Sequence, residues 1–493
     1  PDVRQPIAMC WDERGRLWIA ENYNYSDGKE RFDLSLRDRI LILEDSDHDG
    51  KFDKRTVFSD EVQMLTSIER GFGGVYTLCP PNLLFIPMDG DKPAGPAQVV
   101  LDGFSTTAAS RHTFANGLKW GPDGWLYGLQ GFATRSTVGK PADGGRLFKK
   151  GEAFPEKIAV KDGQYIDGGV WRYHPTKDRF EVVAHGFSNP WGVDFDDHGQ
   201  MFITACVIPH LYHVFPGGRY QRQAGQHFEP NTYDDIKTIA NHAHFTGSVL
   251  HRPAERGVVQ PQSTDEAGGG HAHCGLAIYN GDNFPAEYQG LLLFGNLHGH
   301  RVVADSVEAK GSGFVGHHAE DFMRSNDAWF IPVTQRVGPD GALYVSDWTD
   351  KQTCHNNNLE TWDRGNGRIY RVSYGAAKSR ARDLTALKSQ ELLTIALDDP
   401  NEFFVRQARK VLAERAVEMR HGVEADFGTA SALLTAETTV RSLKAEPLRR
   451  LRALWVLASA GVFPAFEGDR VREKVDLLDV GLTAKDEHLR AWF

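Results

Sequence analysis

Histidine recurs at alternate positions in three short stretches: "NHAHF" with His242 and His244, "GGHAHCG" with His271 and His273, and "NLHGHRV" with His298 and His300. In an extended strand, residues i and i+2 share a face, so each pair can aim two imidazoles at one point. Neutral imidazoles in such a place suit two chemistries: holding a divalent transition metal, or taking a proton as general base. The pattern names His271, His273, His298 and His300 as metal-ligand candidates, and His273 and His300 as catalytic candidates too. A hydrogen-bonded loop histidine is the competing reading for each.

A second concentration of donors is acidic. In "LEDSDHDGKFD" (43–53), Asp45, Asp47, Asp49 and Asp53 follow D-x-D-x-D-G-x-x-D with Gly50 at the bend. Alternate aspartates bring hard oxygens to one point, which is what calcium prefers, and glycine allows the tight turn. The flanking "ILIL" and "TVF" make this a strand–loop–strand hairpin, and Thr56 stands where the twelfth position of an EF-hand carries Glu. The expected role is a structural calcium. A solvated acidic hairpin is the alternative.

Such side chains must be held by rigid elements, and the sequence repeats one. An apolar run, a turn with Asp or Pro early and Gly last, and a second apolar–aromatic run appear in "MCWDERGRLWIAEN" (9–22), "LKWGPDGWLYGLQG" (118–131), "VDFDDHGQMFITAC" (193–206) and "QRVGPDGALYVSDW" (335–348). Each reads as a β-hairpin. Their glycines, Gly15, Gly124, Gly199 and Gly341, are spaced as two, one and two units of roughly 60 residues. Weaker copies around 73–88 and 274–299 fill the gaps. Six sheets in one ring predict a mainly β chain, a six-bladed β-propeller over 1–375, with a β-sandwich as the alternative. "GRIYRVSYG" (367–375) is read as closing the ring. From 376 to 493 glycine thins out, and Ala, Leu, Arg and Glu take helical spacing, as in "SQELLTIALDDPNEFFVRQARKVLAER". This predicts an incomplete α-helical region of HEAT-like repeats.

Polar residues beside the strand ends complete the candidate site, because loops at one mouth of a propeller commonly line its funnel. His112, Asn189 and Asp347 join the histidines as catalytic candidates. Asn116, Trp191, Arg301, Trp348, and His355 and Arg364 of the long polar insertion "TCHNNNLETWDRGNGR" are substrate-binding candidates. Asx-turn capping is the plain reading of Asn116 and Asn189.

Composition removes other classes. A net charge of −10 disfavours nucleic acid as a partner, and no run of about 18 apolar residues provides a membrane span in this chain. The five cysteines contain no C-x-x-C pair, so neither a zinc ribbon nor a c-type haem attachment lies within the chain. One or two disulfides are compatible with an exported protein. The chain starts at Pro1 and ends inside a helical pattern, so both ends read as trimmed.

"RHTFANGLKWGPDGWLYG", "TACVIPHLYHV", "NLHGHRV" and "WDRGNGRIYRVSYG", with "HAHCGLAIYNGDNFPAEYQGLLLFGNLHG", resemble the glucose/sorbosone dehydrogenase propellers and, more closely, the bacterial family described as membrane-bound dehydrogenases. The resemblance covers 1–375 well and the rest loosely. It implies oxidation of a sugar-like alcohol or aldehyde, with electrons passed to a c-type cytochrome domain or partner. It also implies a periplasmic or extracellular location, with membrane association through segments outside this chain. The related quinoproteins use pyrroloquinoline quinone. By that resemblance His112 stands near the position of the base and Asn189 matches a quinone contact. Ser188 replaces the expected arginine, and "FIPVTQ" replaces the arginines before the last "GPDG" strand. The second reading is a metal-dependent polysaccharide lyase or hydrolase with a histidine-lined funnel holding a divalent transition metal. The third is a non-catalytic sugar-binding scaffold.

Overall fold

The computed structural model describes residues 2–25, 32–47, 49–106, 112–147, 152, 158–206, 210–222, 234–242, 272–351, 363–376, 379–422, 428–462 and 475–493. Among the described residues, the hairpin Ser136–Pro141/Val160–Ile166 makes a separate two-stranded sheet, and six mainly antiparallel sheets form a six-bladed β-propeller. Their innermost strands, Pro6–Trp11, Ser67–Gly71, Asn116–Trp120, Pro190–Phe195, His273–Ile278 and Pro332–Val337, stand in that order around one axis, and the first lies against the last. We number the blades 1 to 6 accordingly. Each innermost strand begins at the upper face and runs to the lower one.

The repeated turns all lie on the lower face. In each, an aspartate carboxylate accepts backbone amides within the turn: Asp12 from Arg14 and Arg16, Asp123 from Trp125, Asp196 from His198 and Gln200, Asp340 from Ala342. The closing glycine takes positive φ, for example +82° at Gly124 and +76° at Gly199, where an L side chain is strained. The segment 73–88 departs from the expected register. It is the hairpin of the second and third strands of blade 2, whose innermost strand is the preceding Ser67–Gly71. Ring closure also differs from expectation. Arg368–Val372 is the outer strand of blade 6, and the ring closes where Pro6–Trp11 packs beside Pro332–Val337. There Thr334 Oγ1 donates to the Ile7 carbonyl at 3.0 Å.

After the composition change at residue 375, the described residues form six helices: α1 (Ser389–Asp398), α2 (Glu402–Arg420), α3 (Thr429–Arg441), α4 (Pro447–Ser459), α5 (Val475–Leu482) and α6 (Glu487–Trp492). They cover the lower face. One apolar core runs through both parts, joining Trp11, Leu17 and Tyr344 of the propeller to Leu392, Phe403 and Trp455 of the helices. The turn glycines permit this approach. A β-carbon on Gly124 would stand 2.8 Å from Ser459 Cα, and one on Gly199 would stand 2.5 Å from the Trp492 ring.

Helix α2 crosses the lower end of the axis and is tied to blade after blade. Its Arg406 meets Asp194 at 2.7 Å and the Phe195 carbonyl at 2.7 Å; Gln407 reaches the Trp11 carbonyl and Lys410 the Arg70 carbonyl; Glu414 accepts the Phe72 amide. Asp194 is buried and also faces Lys119 Nζ at 3.1 Å and the Ile278 amide at 3.0 Å. Burial alone would raise its carboxyl, but Arg406 and Lys119 outweigh that and hold it well below the usual range. Burial and the neighbouring Arg336 push Lys119 down to about 7.

Arg406→Met should therefore destabilise the fold by about 3 kcal/mol, because it strands a buried carboxylate. Adding Asp194→Asn should recover part of the loss, and thermal unfolding of the two variants checks both statements.

Candidate functional site

With the lower face closed by helices, ligand access is left to the upper mouth. Each blade contributes to a narrow axial channel, through Ile7, Ser67, Gly117, Trp191, Gly275 and Thr334 in turn. Above it, Tyr25, Trp191, Leu297, Ile331 and Trp348 pack together, so side chains from blades 1, 4, 5 and 6 form an aromatic rim. Tyr25 meets Trp348 edge to face at 6.3 Å, and Phe32 lies 4.8 Å from Phe114 across the start of blade 3.

His300 and Asp347 hang on one peptide of this rim. His300 Nδ1 lies 2.8 Å from the Phe330 carbonyl, and the next amide, Ile331 N, donates to Asp347 Oδ1 at 2.8 Å. A carbonyl only accepts, so Nδ1 carries the hydrogen and Nε2 presents its lone pair. His300 also has φ of +52°, unusual for a residue with a side chain. Its carbonyl accepts Ser325 Oγ at 2.9 Å, which helps hold that conformation. Asp347 is fully buried and receives a second amide, from Thr349, at 2.9 Å. Burial raises its carboxyl above the ordinary range, against the pull of those amides and of Arg368.

The other expected residues separate into groups. Asn116 is a brace: its Nδ2 donates to the Phe114 and Pro190 carbonyls, joining blades 3 and 4. Asn189 is buried beside it, with its carbonyl accepting the Cys206 amide at 2.7 Å. His112 is half-buried at the start of blade 3. Arg301 is held by Asp321 at 2.7 Å and the Gly299 carbonyl; Arg364 is held by the Tyr23 and Tyr25 carbonyls. Both arginines therefore shape the mouth from behind. His298 lies half-buried in the turn before Arg301. His244, His271, His355 and Trp362 lie outside the described residues.

His273 joins a different group. It is fully buried, and its ring lies 4.9 Å from that of His210, a residue the alternate-histidine pattern does not reach. His210 Nε2 is 2.9 Å from Asp305 Oδ2, His242 Nε2 is 3.1 Å from Asp305 Oδ1, and His318 Nδ1 is 3.8 Å from the same oxygen. This cluster fills the seam between blades 4 and 5. Only the strand pairing Asp305 with His318 and the neighbouring blade bring it together, so no local spacing signals it. Next to it, Cys206 and Cys274 face each other with sulfurs 3.3 Å apart.

In the acidic hairpin, the carboxylates of Asp45, Asp47 and Asp49 lie within 4.8 Å of one another. Asp45 also accepts the Gly50 amide at 2.9 Å. Asp53 turns aside to Ser46, accepting its amide at 2.8 Å and its hydroxyl at 2.5 Å. Three of the four aspartates thus gather their carboxylates at one point, and the fourth turns away from it.

A tricarboxylate quinone needs a cationic cradle. At the mouth, Arg301 and Arg364 are spent on the chain's own oxygens, while Ser188 and Gln335 are fully buried. Neither of these arginines, nor Ser188 or Gln335, therefore offers a cationic contact of the kind that pyrroloquinoline quinone takes.

No curated protein matches this chain. Solved structures with a similar overall course include the PQQ-bound aldose sugar dehydrogenase from Streptomyces coelicolor, with 16% identity over 75% of this chain and 94% of that one and a TM-score of 0.43. A glucose dehydrogenase shows 15% identity, 76% and 98% coverage and a TM-score of 0.43. A luciferin-regenerating enzyme shows 12% identity, 77% and 96% coverage and a TM-score of 0.41. Likenesses at this level say nothing about the site. A family model does match, over residues 1–376, and by it the chain belongs to the family of the domain of unknown function DUF7133.

Proposed function

We propose that the protein is a carbohydrate-active oxidoreductase whose substrate sits at the upper mouth of the propeller. The observation that carries this reading is His300: the Phe330 carbonyl fixes its tautomer with the hydrogen on Nδ1, and the next residue, Ile331, packs in the rim with Trp191, Trp348 and Tyr25. Flat aromatic faces suit the apolar faces of a sugar ring. The imidazole Nε2 takes the hydroxyl proton of the alcohol being oxidised, and Asp347, fixed by two amides, positions the Phe330–Ile331 peptide that holds His300. His300 takes only the hydroxyl proton; the hydride left on the carbon needs a bound two-electron cofactor, which the described side chains do not supply. From such a cofactor electrons would pass one at a time to a partner such as a c-type cytochrome, in a periplasmic or extracellular setting. The acidic hairpin holds a structural calcium through Asp45, Asp47 and Asp49. A metal-dependent polysaccharide lyase or hydrolase is the second reading, favoured by the imidazole–carboxylate cluster between blades 4 and 5.

The test is a panel of aldoses and sugar alcohols with an artificial dye acceptor. His300→Gln should lower kcat by about a hundredfold or more with sugar binding retained. Trp191→Ala should raise KM roughly fivefold, the equivalent of about 1 kcal/mol of stacking. Dye left unreduced by every sugar would sink the oxidoreductase reading, and an unsaturated product from a uronate polymer would establish the second one. For the hairpin, calcium at about a hundred times its Kd should stabilise the protein by about 2.7 kcal/mol. Asp47→Ala should abolish that gain in thermal melts while leaving turnover intact.

A further inference from the structure

The seam between blades 4 and 5 is built around a buried carboxylate. Asp305 lies in the third strand of blade 5 and is fully buried. His210 reaches it from the residue before the strand Leu211–Val214 of blade 4. His242 reaches it from the segment 238–242, which is laid between the two blades. There Ile239 N donates to the Leu211 carbonyl at 3.1 Å, and Asn241 N to the Gly316 carbonyl at 3.0 Å. These backbone bonds hold the His242 ring in place on both sides of the seam.

The hydrogen bonds around His242 define what it offers. Asn241 Nδ2 lies 2.7 Å from His317 Nδ1, so the amide nitrogen faces that ring and its oxygen, Oδ1, lies 3.0 Å from His242 Nδ1. An amide oxygen only accepts, so Nδ1 of His242 carries the hydrogen. A neutral His242 then points its Nε2 lone pair at the Asp305 carboxylate, 3.1 Å away. Lone pair facing lone pair is repulsive unless a positive centre, a proton or a metal ion, lies between them. The second histidine, His210, stands 2.9 Å from the other carboxylate oxygen. Orientation of a ligating imidazole by a bond from its other nitrogen is the usual arrangement behind a metal ligand.

We propose that His210 Nε2, His242 Nε2 and the Asp305 carboxylate hold a divalent first-row transition metal, of which zinc is the representative. Two imidazole nitrogens and one carboxylate oxygen are the borderline donor set that such ions take, and that calcium or magnesium does not. Three protein ligands leave a coordination position for water or a ligand. The His242 side chain is 17% exposed and that of His318 26% exposed, so the cluster opens outward past them, while His210 and Asp305 close its inner side. This set is drawn from two blades and a connecting segment, apart from the alternate-histidine candidates His271, His273, His298 and His300. Of that expected set, His273 stacks behind His210 as a support. This inference is independent of sugar oxidation, since its readout is metal content.

The experiment uses the full chain, stripped with chelator and then titrated with zinc and, for its visible absorption, with cobalt. One equivalent should bind, cobalt should give tetrahedral or five-coordinate d–d bands, and zinc should raise the melting temperature. His242→Ala removes the ligand nearest the surface, so its stripped form should melt with stripped wild type while zinc affinity falls roughly a hundredfold or more. Asp305→Asn should also lose the cobalt spectrum, and Asp47→Ala should keep it. Wild type binding well under one equivalent, or His242→Ala binding zinc as wild type does, would overturn the assignment; the latter would place the ion at another group, such as Asp196, Asp197 and His198.

Discussion

The structure depends on how charge is balanced at the lower end of the propeller axis. Six innermost strands converge there and leave Glu69, Lys119, Asp194 and Arg336 buried or nearly so, groups that cannot be desolvated singly. Helix α2 supplies the counter-charge with Arg406 and Lys410, and its backbone and side chains bind several blades at once. The helical region is in this sense part of the propeller's own core. Trp11, Tyr344 and Phe403 form one aromatic stack across the junction, with ring centroids 4.8 and 6.0 Å apart.

Closing one face has a functional consequence. The lower turns are short and covered by the helices, which leaves the upper face as the open one, where loops can carry chemistry on a fixed scaffold. The axial channel is narrow because residues of all six blades close around it, Gly117 of blade 3 through its backbone. A ligand there meets an aromatic rim and one oriented imidazole, and does not enter a deep channel. The seam between blades 4 and 5 offers a second chemical environment, imidazole-rich and built around a carboxylate, adjoining the mouth through His273 and the Cys206–Cys274 contact.

Much of the architecture was legible in order of residues. The Asp-to-Gly turns at Gly15, Gly124, Gly199 and Gly341 declare themselves because a lower-face hairpin needs both the capping carboxylate and a residue at positive φ, and these are local demands. The strand–loop–strand setting of Asp45, Asp47 and Asp49 is local for the same reason. The blade 2 repeat was misplaced by one hairpin because its innermost strand, "SIERG", lacks the Asp–Gly turn and reads as an ordinary polar segment. Ring closure was assigned to the last strand pair, but closure is a contact between sequence ends, Pro6–Trp11 and Pro332–Val337, that no local pattern encodes.

The candidate site divides along the same line. His300 was identifiable from alternate histidines, since i and i+2 must share a face of extended chain. Its role depends on the Phe330 carbonyl, thirty residues away, which decides which ring nitrogen is free. His210 and Asp305 are 95 positions apart. They meet only because neighbouring blades pack face to face. By itself, then, the sequence determined the turns, the strand periodicity, the passage from β to α and the acidic hairpin, all set by interactions among near neighbours. The tertiary structure alone decided which face is open, which arginines are already engaged, and which imidazoles meet a common carboxylate. Those outcomes depend on the packing of distant strands, where burial, and not spacing, chooses the partners.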